Sequence, residues 1–287
     1  MKLHCYKYQG AGNDFVILDN RDNKVQLTDD QVRQLCDRRF GIGSDGLMLL
    51  GSAPEGKPQL DFTMRYFNSD GPEGTMCGNG GRCLVAFAAH MGIKKFEFDA
   101  IDGYHRAEVL EYSPSRCIVR LKMRNLPVVD GVNPVAKLED GFFLDTGSDH
   151  FVGFVPDVDA YDVDTNGKRL RWDKRFPKGT NVNFVEVIDE DRPDAARGIK
   201  VRTYERGVEA ETWACGTGVT ASSIVSYING AKSFDKFEKD GKEHIQFAIQ
   251  ARGDKLKVDF VPVADGSFEE IYLTGPATKV FETDIEI

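Results

Sequence analysis

The sequence has no long apolar run and no excess of positive charge. Its longest apolar stretches are short pieces such as Leu47–Leu50, far below the roughly 18–20 residues of a membrane-spanning helix. Lys and Arg number 37 against 46 Asp and Glu, for a formal net charge of −9. This balance argues against nucleic acid and anionic membranes as partners, because basic surfaces bind both. The first ten residues also lack an apolar segment of signal-peptide length, so we expect a cytoplasmic protein.

The spacings that mark metal, redox and phosphate sites are missing as well. None of the six cysteines stands in a CxxC pair, which weakens zinc binding and redox exchange as hypotheses. A disulfide framework is typical of short secreted chains, and this chain has 287 residues. The Gly-rich CGNGGR at Cys77–Arg82 lacks the lysine of a P-loop and the spacing of a dinucleotide fingerprint. Most of the cysteines are therefore expected to be small buried hydrophobes.

The composition and length predict two globular domains of mixed structure. Hydrophobic residues make up 41% and charged residues 29%, which is ordinary globular usage, and 287 residues correspond to about two domains. Thr28 with Gln31 three residues later forms a capping box that predicts a helix start. Strand patterns follow one another in runs instead of alternating with helices, which favours an α+β fold over a doubly wound parallel sheet.

Two segments of the chain resemble each other. One is RYFNSDGPEGTMCGNGGRCLVAFAAHMG from Arg65, and the other is RTYERGVEAETWACGTGVTASSIVSYING from Arg202. Each predicts a strand, a polar loop, Cys-Gly-x-Gly and a small-residue helix that ends at Gly. Upstream, GNDFVILD from Gly12 matches TNVNFVEVID from Thr180. Matches in the same order indicate two copies of one fold.

The repeat and the turn residues predict where the two domains meet. Pro127 and Pro134 interrupt regular secondary structure between the two copies. We therefore predict an N-terminal domain over 1–126, to which a C-terminal strand over 275–287 returns, and a C-terminal domain over 127–274. Downstream of each predicted helix, a pair of strands is broken at Gly103 or Gly253.

Cys-Gly-x-Gly at a helix start has a defined chemistry. The glycines leave backbone N–H groups uncovered, and these groups have no partner within the helix. The helix dipole adds partial positive charge, so a carboxylate can bind without Lys or Arg. The same field favours the thiolate form of a cysteine at the cap. Cys77 and Cys215 are therefore candidates for a nucleophile or a base.

A pair of thiols facing one carboxylate suits the inversion of an α-carbon. Inversion needs a proton removed from one face and another delivered to the opposite face. One thiolate and one thiol can do this and exchange roles between the two substrate directions. Both helix N-termini can stabilise the enolate-like charge that develops on the substrate carboxylate.

At these residues the sequence resembles the diaminopimelate epimerase family, the cofactor-independent amino-acid epimerases of lysine and peptidoglycan-precursor synthesis. The resemblance covers essentially the whole chain and consists of motifs that are specific as a set. They are GAGNDF at Gly10–Phe15, RRFGIGSDG at Arg38–Gly46, FNSDG at Phe67–Gly71, CGNGGRC at Cys77–Cys83, TGSDH at Thr146–His150, RFPKGTNVNF at Arg175–Phe184, YERGVEAET at Tyr204–Thr212 and ACGTG at Ala214–Gly218.

The resemblance implies two α/β domains of one topology, each a strand-rich sheet around a central helix, with the active site in the cleft between them. It implies that Cys77 and Cys215 are the acid–base residues that interconvert LL- and meso-diaminopimelate, without pyridoxal phosphate and without a metal. It further implies a homodimer. The backbone N–H groups expected to hold the reacting carboxylate belong to Gly78, Asn79, Gly216 and Thr217.

The unreactive end of diaminopimelate is a second amino acid, so the site must bind a carboxylate and an ammonium group. Arg206 suits the carboxylate because its guanidinium can donate two parallel hydrogen bonds. Glu205 can accept from the ammonium group, and amides can donate or accept. The amides expected here are those of Asn13, Asn68 and Asn181.

Three further residues are possible substrate contacts. His150 follows the TGS motif, where the family has a histidine near the reacting centre, although a hydrogen-bonded loop histidine is an equal interpretation. Some relatives carry longer side chains at the positions of Ser44 and Ser148. The loop Val208–Thr212 has one residue more than the corresponding loop of the first copy. That residue shifts Cys215 relative to the preceding strand unless it bulges outward.

Two other functions remain open from the sequence. The first is a racemase of proline or another small amino acid from the same superfamily. Arg206 argues against it, because such a substrate has no distal carboxylate for Arg206 to bind. The second is a non-catalytic amino-acid-binding protein, which would have no need of both Cys77 and Cys215.

Overall fold

The computed structural model describes residues 1–188 and 197–287, which form two compact units. Unit 1 comprises Met1–Leu121 and Thr274–Ile287, and unit 2 comprises Lys122–Leu273. The boundary between the units lies after residue 121, and the predicted domain boundary lies after residue 126. No helix within the described ranges is long and apolar enough to cross a membrane.

Unit 1 contains two helices and the strands that surround one of them. Its elements in chain order are β1 (Lys2–Gly10), β2 (Asn13–Asn20), α1 (Asp29–Cys36), β3 (Gly46–Ser52), β4 (Phe62–Asn68), β5 (Glu73–Gly74), α2 (Gly78–His90), β6 (Glu97–Ala100), β7 (Gly103–Tyr112) and β8 (Arg116–Lys122).

Unit 2 repeats this arrangement and adds short strands at its edges. Its elements are β9 (Val135–Lys137), β10 (Phe142–Asp145), β11 (Asp149–Phe154), α3 (Val163–Arg171), β12 (Asn181–Ile188), β13 (Gly198–Glu205), β14 (Ala210–Thr212), α4 (Gly216–Ile228), β15 (Asp235–Lys239), β16 (Lys242–Ala251), β17 (Lys255–Pro262) and the start of β18 (Phe268–Glu286). The later part of β18, from Thr274, belongs to unit 1.

The strands of unit 1 close a ring around α2. β1 pairs with β2, β2 runs parallel to β3, and β3, β4, β6, β7 and β8 follow in turn. β18 pairs antiparallel with both β8 and β1, which completes the ring. Every residue of α2 from Gly78 to Ala88 is buried, and the helix packs against β1, β2, β3 and β7. Apart from Asn79 and Arg82, these residues are small or apolar, as expected of a helix at the centre of a core.

Unit 2 has the same order of pairings. β10 and β11 are antiparallel, β11 and β12 parallel, β12 and β13 antiparallel, and β13 runs parallel to β16, which pairs with β17. Of the predicted strand breaks, Gly103 is the first residue of β7, directly after the β6–β7 turn, and Gly253 lies in the β16–β17 turn. One predicted match between the copies is wrong. The residues of GNDFVILD from Asn13 onward belong to β2, whereas Asn181–Ile188 of TNVNFVEVID form β12, and its last residue lies outside the described residues. The pairings of β12 are those of β3, so the counterpart of β2 is β11.

Several predicted elements are confirmed with adjusted ends. Thr28 caps α1, and the capping box with Gln31 is complete. The small-residue helix predicted after the first Cys-Gly-x-Gly is α2, which starts at Gly78, directly after Cys77. The mixed, strand-rich fold with two units of one topology is confirmed. The expected location of the site in a cleft stays a prediction.

Candidate active site

Each of the two predicted cysteines is the residue from which a central helix starts. Cys77 precedes α2 and Cys215 precedes α4, both with extended backbone and with no capping hydrogen bond from the side chain. The first helical hydrogen bonds are accepted by the cysteine carbonyls, from Gly81 N–H at 2.7 Å and Val219 N–H at 2.9 Å. Neither sulfur is therefore used to cap its own helix.

The N–H groups predicted to hold a carboxylate belong to the first turns of these helices. Gly78 and Asn79 are the first two residues of α2, and Gly216 and Thr217 are the first two of α4. Such N–H groups have no acceptor within the helix and lie at the positive end of its dipole. Both turns can thus bind an anion.

The glycine three residues after each cysteine allows the core to approach the helix closely. A Cβ at Gly80 would lie 3.3 Å from Met48 Sδ and 3.5 Å from the Phe15 ring. A Cβ at Gly218 would lie 2.3 Å from Asn183 Oδ1, so a larger residue there would require the Asn183 side chain or the helix to move. The strand faces below α2 and α4 therefore carry different side chains at equivalent places.

Unit 1 surrounds Cys77 with two amide side chains. Cys77 Sγ lies 3.7 Å from Asn13 Oδ1, and Asn79 Nδ2 donates to the same oxygen at 3.5 Å. Asn13 Nδ2 donates to Asp45 Oδ2 at 2.7 Å. Because the Asp45 carboxylate can only accept, it fixes the Asn13 amide with its oxygen toward the thiol. Asp45 was not among the predicted site residues, although it lies in the GSDG motif.

A buried arginine supports the same turn. Arg82 is 0% exposed, and its guanidinium donates to Asn79 Oδ1 at 2.8 Å and to the Gly78 carbonyl at 3.3 Å. A full positive charge is thus held within the first turn of α2. It adds to the dipole field in favouring an anion there.

An ion-pair network lies behind Asn13. Asp14 contacts Lys7 Nζ at 2.6 Å and accepts from Arg38 at 2.7 and 3.1 Å, and Arg38 also donates to Asp45 at 2.7 Å. Burial raises the pKa of Asp14, but the hydrogen bonds from Arg38 and Lys7 outweigh it and lower the pKa to about 2. The network keeps Asp14 ionised and anchors the strand end that carries Asn13.

In unit 2 the Thr217 hydroxyl lies beside Cys215. Cys215 is 6% exposed, and its Sγ lies 3.4 Å from Thr217 Oγ1. Thr146 Oγ1 donates to the Thr217 carbonyl at 3.4 Å, which ties the TGS loop to the start of α4.

His150 lies deep in unit 2. It is 0% exposed, as is its partner Asn183, whose Nδ2 lies 3.2 Å from His150 Nδ1. Burial, followed by the positive charge of Arg206, lowers the pKa of His150 to about 3. His150 is therefore neutral at physiological pH. Asn183 was missed by the sequence analysis, although the alternation of NVNF signals a polar residue on the inner face of a strand.

Arg206, Asn181 and Ser148 lie together in unit 2. Asn181 Oδ1 accepts from the Arg206 N–H at 2.9 Å, and Asn181 Nδ2 donates to Ser148 Oγ at 2.8 Å. The Arg206 guanidinium donates to the Gly179 carbonyl at 3.3 Å and lies 3.7 Å from Asp149 Oδ2. Its side chain is 33% exposed, so it can reach a ligand.

The extra residue of the second copy is absorbed in a hairpin loop. Phe67 pairs with Glu73 in unit 1, and Tyr204 pairs with Glu211 in unit 2. Five residues separate the first pair and six separate the second, while each Glu lies four residues before its cysteine. Val208 at the loop tip is 59% exposed. The extra residue thus points outward and leaves the spacing to Cys215 unchanged.

The same loop is fastened from α3. Arg171 Nε and the Gly207 N–H both donate to Glu209 Oε1 at 3.0 Å, and Tyr204 Oη donates to the Glu209 carbonyl at 2.7 Å. The Arg171 guanidinium occupies the space where a Cβ of Gly179 would lie. Arg171 therefore contacts both segments that flank Arg206.

Asn68 and Ser44 lie next to Asp45 of the Cys77 cluster, since Asn68 pairs with Gly46, which follows Asp45, and Ser44 precedes it. Asn68 is exposed at the end of β4, and its backbone closes the hairpin with Pro72 and Gly71. Ser44 is 3% exposed, and its N–H donates to the Cys36 carbonyl at 2.9 Å. Glu205 ends β13 at the place that Asn68 has in β4. Substrate contacts by Asn68 and Ser44 stay predictions.

The four remaining cysteines are buried, as predicted. Burial raises the pKa of Cys5 and of Cys83 to about 12, and it also raises the pKa of Cys36 and of Cys117. Such thiols are inert at neutral pH. Within the described ranges, no three His, Cys, Asp or Glu side chains are grouped to hold a metal ion. The absence of a metal and of pyridoxal phosphate from the reaction stays a prediction.

The profile of the diaminopimelate epimerase family matches residues 5–112 and 142–280. The chain is 43% identical to the diaminopimelate epimerase of Flavobacterium psychrophilum, over 99% of this chain and 100% of the relative. It is 41% identical to that of Aquifex aeolicus, over 98% and 96%. The chain belongs to the diaminopimelate epimerase family.

Solved structures of lower identity share the fold. One is a phenazine biosynthesis protein of the PhzF family from Bacillus anthracis, with a TM-score of 0.69 at 14% identity over all of both chains. Another is a hydroxyproline epimerase from Agrobacterium vitis, with a TM-score of 0.63 at 15% identity over 99% and 92%. At this identity the likeness concerns the fold alone.

Proposed function

We propose that this protein is an epimerase that interconverts LL- and meso-2,6-diaminopimelate without pyridoxal phosphate. The observation that carries the proposal is the equivalent placement of Cys77 and Cys215. Each starts a buried, glycine-rich helix in one copy of a duplicated fold, and the chain belongs to a family named for this activity.

The proposed reaction uses the two sulfurs as acid and base on opposite faces of one α-carbon. A thiolate removes the α-proton, and the electron pair of the broken C–H bond is delocalised into the α-carboxylate. The other sulfur, as a thiol, delivers its proton to the opposite face. The protein then holds the thiol and thiolate in reversed positions, ready for the reverse reaction.

The helix starts supply the electrostatic stabilisation in this proposal. N–H groups of Gly78, Asn79, Gly216 and Thr217 are placed by their helices to donate to the carboxylate as it gains charge. Preformed donors need no rearrangement when the charge develops, which makes them effective in a site that excludes water. Arg82 strengthens the field of the α2 turn.

The distal amino acid of the substrate is assigned to the polar residues at the strand ends. Arg206 binds the distal carboxylate, and Glu205 accepts from the distal ammonium group. The Asn181 side-chain oxygen supports Arg206 by accepting a hydrogen bond from the Arg206 backbone N–H. Asn13, which lies beside Cys77, and the exposed Asn68 complete the proposed set, with His150, Ser44 and Ser148 as further possible contacts.

A racemase of proline is the less supported alternative. A hydroxyproline epimerase shares the fold, but at 15% identity this says nothing about the substrate. Proline has no distal carboxylate, so Arg206 would have no ligand. Comparing turnover of proline and diaminopimelate separates the two functions.

The test of the proposal is exchange of the substrate α-proton with solvent deuterium. We expect deuterium to enter diaminopimelate, and we expect Cys77→Ala and Cys215→Ala each to abolish epimerisation. Cys117→Ala is the matched control, because it removes a buried thiol from β8. Wild-type rates in either of the first two variants would exclude the two-thiol mechanism.

The resemblance also leads us to propose a cytoplasmic homodimer. Light scattering after size-exclusion chromatography tests the dimer, since a mass near that of the 32.0 kDa chain would contradict it.

A further inference from the structure

Below the start of α4, unit 2 contains a chain of three buried polar side chains. Thr203, Asn183 and His150 are 3%, 0% and 0% exposed. Thr203 Oγ1 lies 2.9 Å from Asn183 Oδ1, and Asn183 Nδ2 lies 2.9 Å from the Phe151 carbonyl and 3.2 Å from His150 Nδ1. Buried polar groups are costly unless they are paired, so a chain of three is expected to have a role.

Unit 1 fills the equivalent positions with larger, less polar side chains. The β2–β3 and β11–β12 pairings place His150 where unit 1 has Phe15, and Asn183 where it has Met48. The β3–β4 and β12–β13 pairings place Thr203 where unit 1 has Tyr66. The fold does not require polar residues there, because Phe15 and Met48 pack against α2 in unit 1.

The orientation of the Asn183 amide follows from its neighbours. A backbone carbonyl can only accept, so the group facing the Phe151 carbonyl is the NH2. The second hydrogen of that NH2 points to His150 Nδ1. The Thr203 hydroxyl donates to the amide oxygen and opposes a flip of the amide.

This orientation fixes the tautomer of His150. A nitrogen that faces an NH2 donor must present a lone pair, so Nδ1 carries no proton and the ring proton lies on Nε2. Protonation of Nδ1 would place two donors against each other. The low pKa of His150, which results from burial and from Arg206, agrees with a neutral ring. Within residues 1–188 and 197–287, His150 Nε2 is buried and has no hydrogen-bond partner.

We infer that Asn183 and Thr203 are positioning residues that hold His150 as a neutral imidazole whose Nε2–H is reserved as a hydrogen-bond donor to the substrate. This inference rests on the proposed function for the identity of the ligand. A neutral donor can stabilise charge that develops on a carboxylate without releasing a proton to it. Asn183 and Thr203 act through His150 and do not themselves bind substrate.

The first test reads the tautomer directly by nitrogen-15 NMR of the histidine rings. The chain has five histidines, and His150→Gln identifies the signals that belong to His150. In the wild-type protein at neutral pH we expect Nε2 to carry the proton and Nδ1 to be unprotonated. In Asn183→Asp the carboxylate can only accept, so Nδ1 should become protonated.

A second variant guards against a folding defect in Asn183→Asp. Asn183→Met introduces the residue that unit 1 has at this place, so the variant should fold. Without the amide, the His150 ring should populate both tautomers. Ser223→Ala is the control, because it removes a buried hydroxyl that bonds to Val219 O within α4, and the tautomer should not change. A proton on Nδ1 in the wild type, or an unprotonated Nδ1 in Asn183→Asp, would overturn the inference.

The second test separates positioning from a general structural effect. We expect kcat for epimerisation to fall about 100-fold in Asn183→Asp, since an imidazole in the wrong tautomer is a poor catalyst. Thr203→Val should lower kcat about tenfold through the loss of one hydrogen bond, with KM within about threefold of wild type. Unchanged kcat in both variants would contradict the inference. If the wild type shows no α-proton exchange, the proposed function fails while the tautomer result stands.

Discussion

The first turns of α2 and α4 have the same backbone arrangement, but different side chains support them. Five residues after each cysteine, a side chain donates to the carbonyl of the first helical residue. It is Arg82 in α2, at 3.3 Å from Gly78 O, and Thr220 in α4, at 2.9 Å from Gly216 O. Unit 1 therefore places a buried charge in the turn, whereas unit 2 places a hydroxyl there.

The side chains on the strands below the two helices show the reverse contrast, since they are apolar in unit 1 and polar in unit 2. Unit 1 has Phe15 and Met48 against α2, and unit 2 has His150 and Asn183 below α4. Each half thus contributes one kind of polarity to its helix start, a fixed positive charge or a neutral hydrogen-bond network. The duplication places each sulfur at the start of an equivalent helix, and the two sulfurs nevertheless have different surroundings.

The largest effect is expected from removing the buried charge. Arg82→Met keeps the length of the side chain but leaves Asn79 Oδ1 and Gly78 O without this donor, which should lower stability by about 3 kcal/mol. We expect kcat to fall about 100-fold, and alkylation of Cys77 by iodoacetamide to slow because its thiolate loses a nearby positive charge. Urea titration, kinetics and mass spectrometry measure the three effects.

The matched change in unit 2 is Thr220→Val, which removes the hydroxyl group and keeps nearly the same side-chain volume. Stability should fall by about 1 kcal/mol, and kcat should change less than about threefold. Equal effects of Arg82→Met and Thr220→Val would refute the view that charge supports only the α2 turn.

The fold could be predicted further than the site. The repeated Cys-Gly-x-Gly segments fixed both central helices, and Thr28 with Gln31 gave α1. The helix α3 was missed because Gly167 interrupts its sequence. In the structure that glycine faces the Tyr204 ring, where a Cβ would lie 2.4 Å from Tyr204 Cβ, so tertiary packing decides what local propensity disfavours.

The supporting residues of the site follow from contacts that sequence spacing does not encode. Asp45 was unpredicted because it acts on Cys77 through Asn13. Arg171 was unpredicted because it reaches Arg206 through two loops, one of them held by Glu209. The cysteines, in contrast, could be found because their chemistry depends on the first turn of their own helices.

Replacing His150 by its counterpart in unit 1 should change the pH dependence of stability. The unfolded chain binds a proton on His150 near pH 6.5, whereas the folded protein does not until the pH approaches about 3. The wild type should therefore lose stability as the pH falls below 6.5, by about 2 kcal/mol at pH 5 from this group. His150→Phe should abolish that loss, which urea titrations at pH 7 and pH 5 measure.

If the two proteins lose the same stability between pH 7 and pH 5, His150 is not held neutral and the contrast with Phe15 is not electrostatic. A smaller loss of stability in the wild type than in His150→Phe between pH 7 and pH 5 would give the same answer, since a histidine that is charged when folded contributes in that direction.

The smallest effect is expected at the loop that distinguishes the two hairpins. Val208→Ser changes the exposed tip and should alter stability by less than about 0.5 kcal/mol, with KM unchanged. Glu209→Ala, one residue away, breaks the bonds to Arg171 and Gly207 and frees the segment that carries Arg206. We expect KM for diaminopimelate to rise about tenfold, because a less ordered Arg206 pays its ordering entropy on binding. A comparable rise of KM in Val208→Ser would show that the added residue contributes to the site and does not merely lengthen the loop.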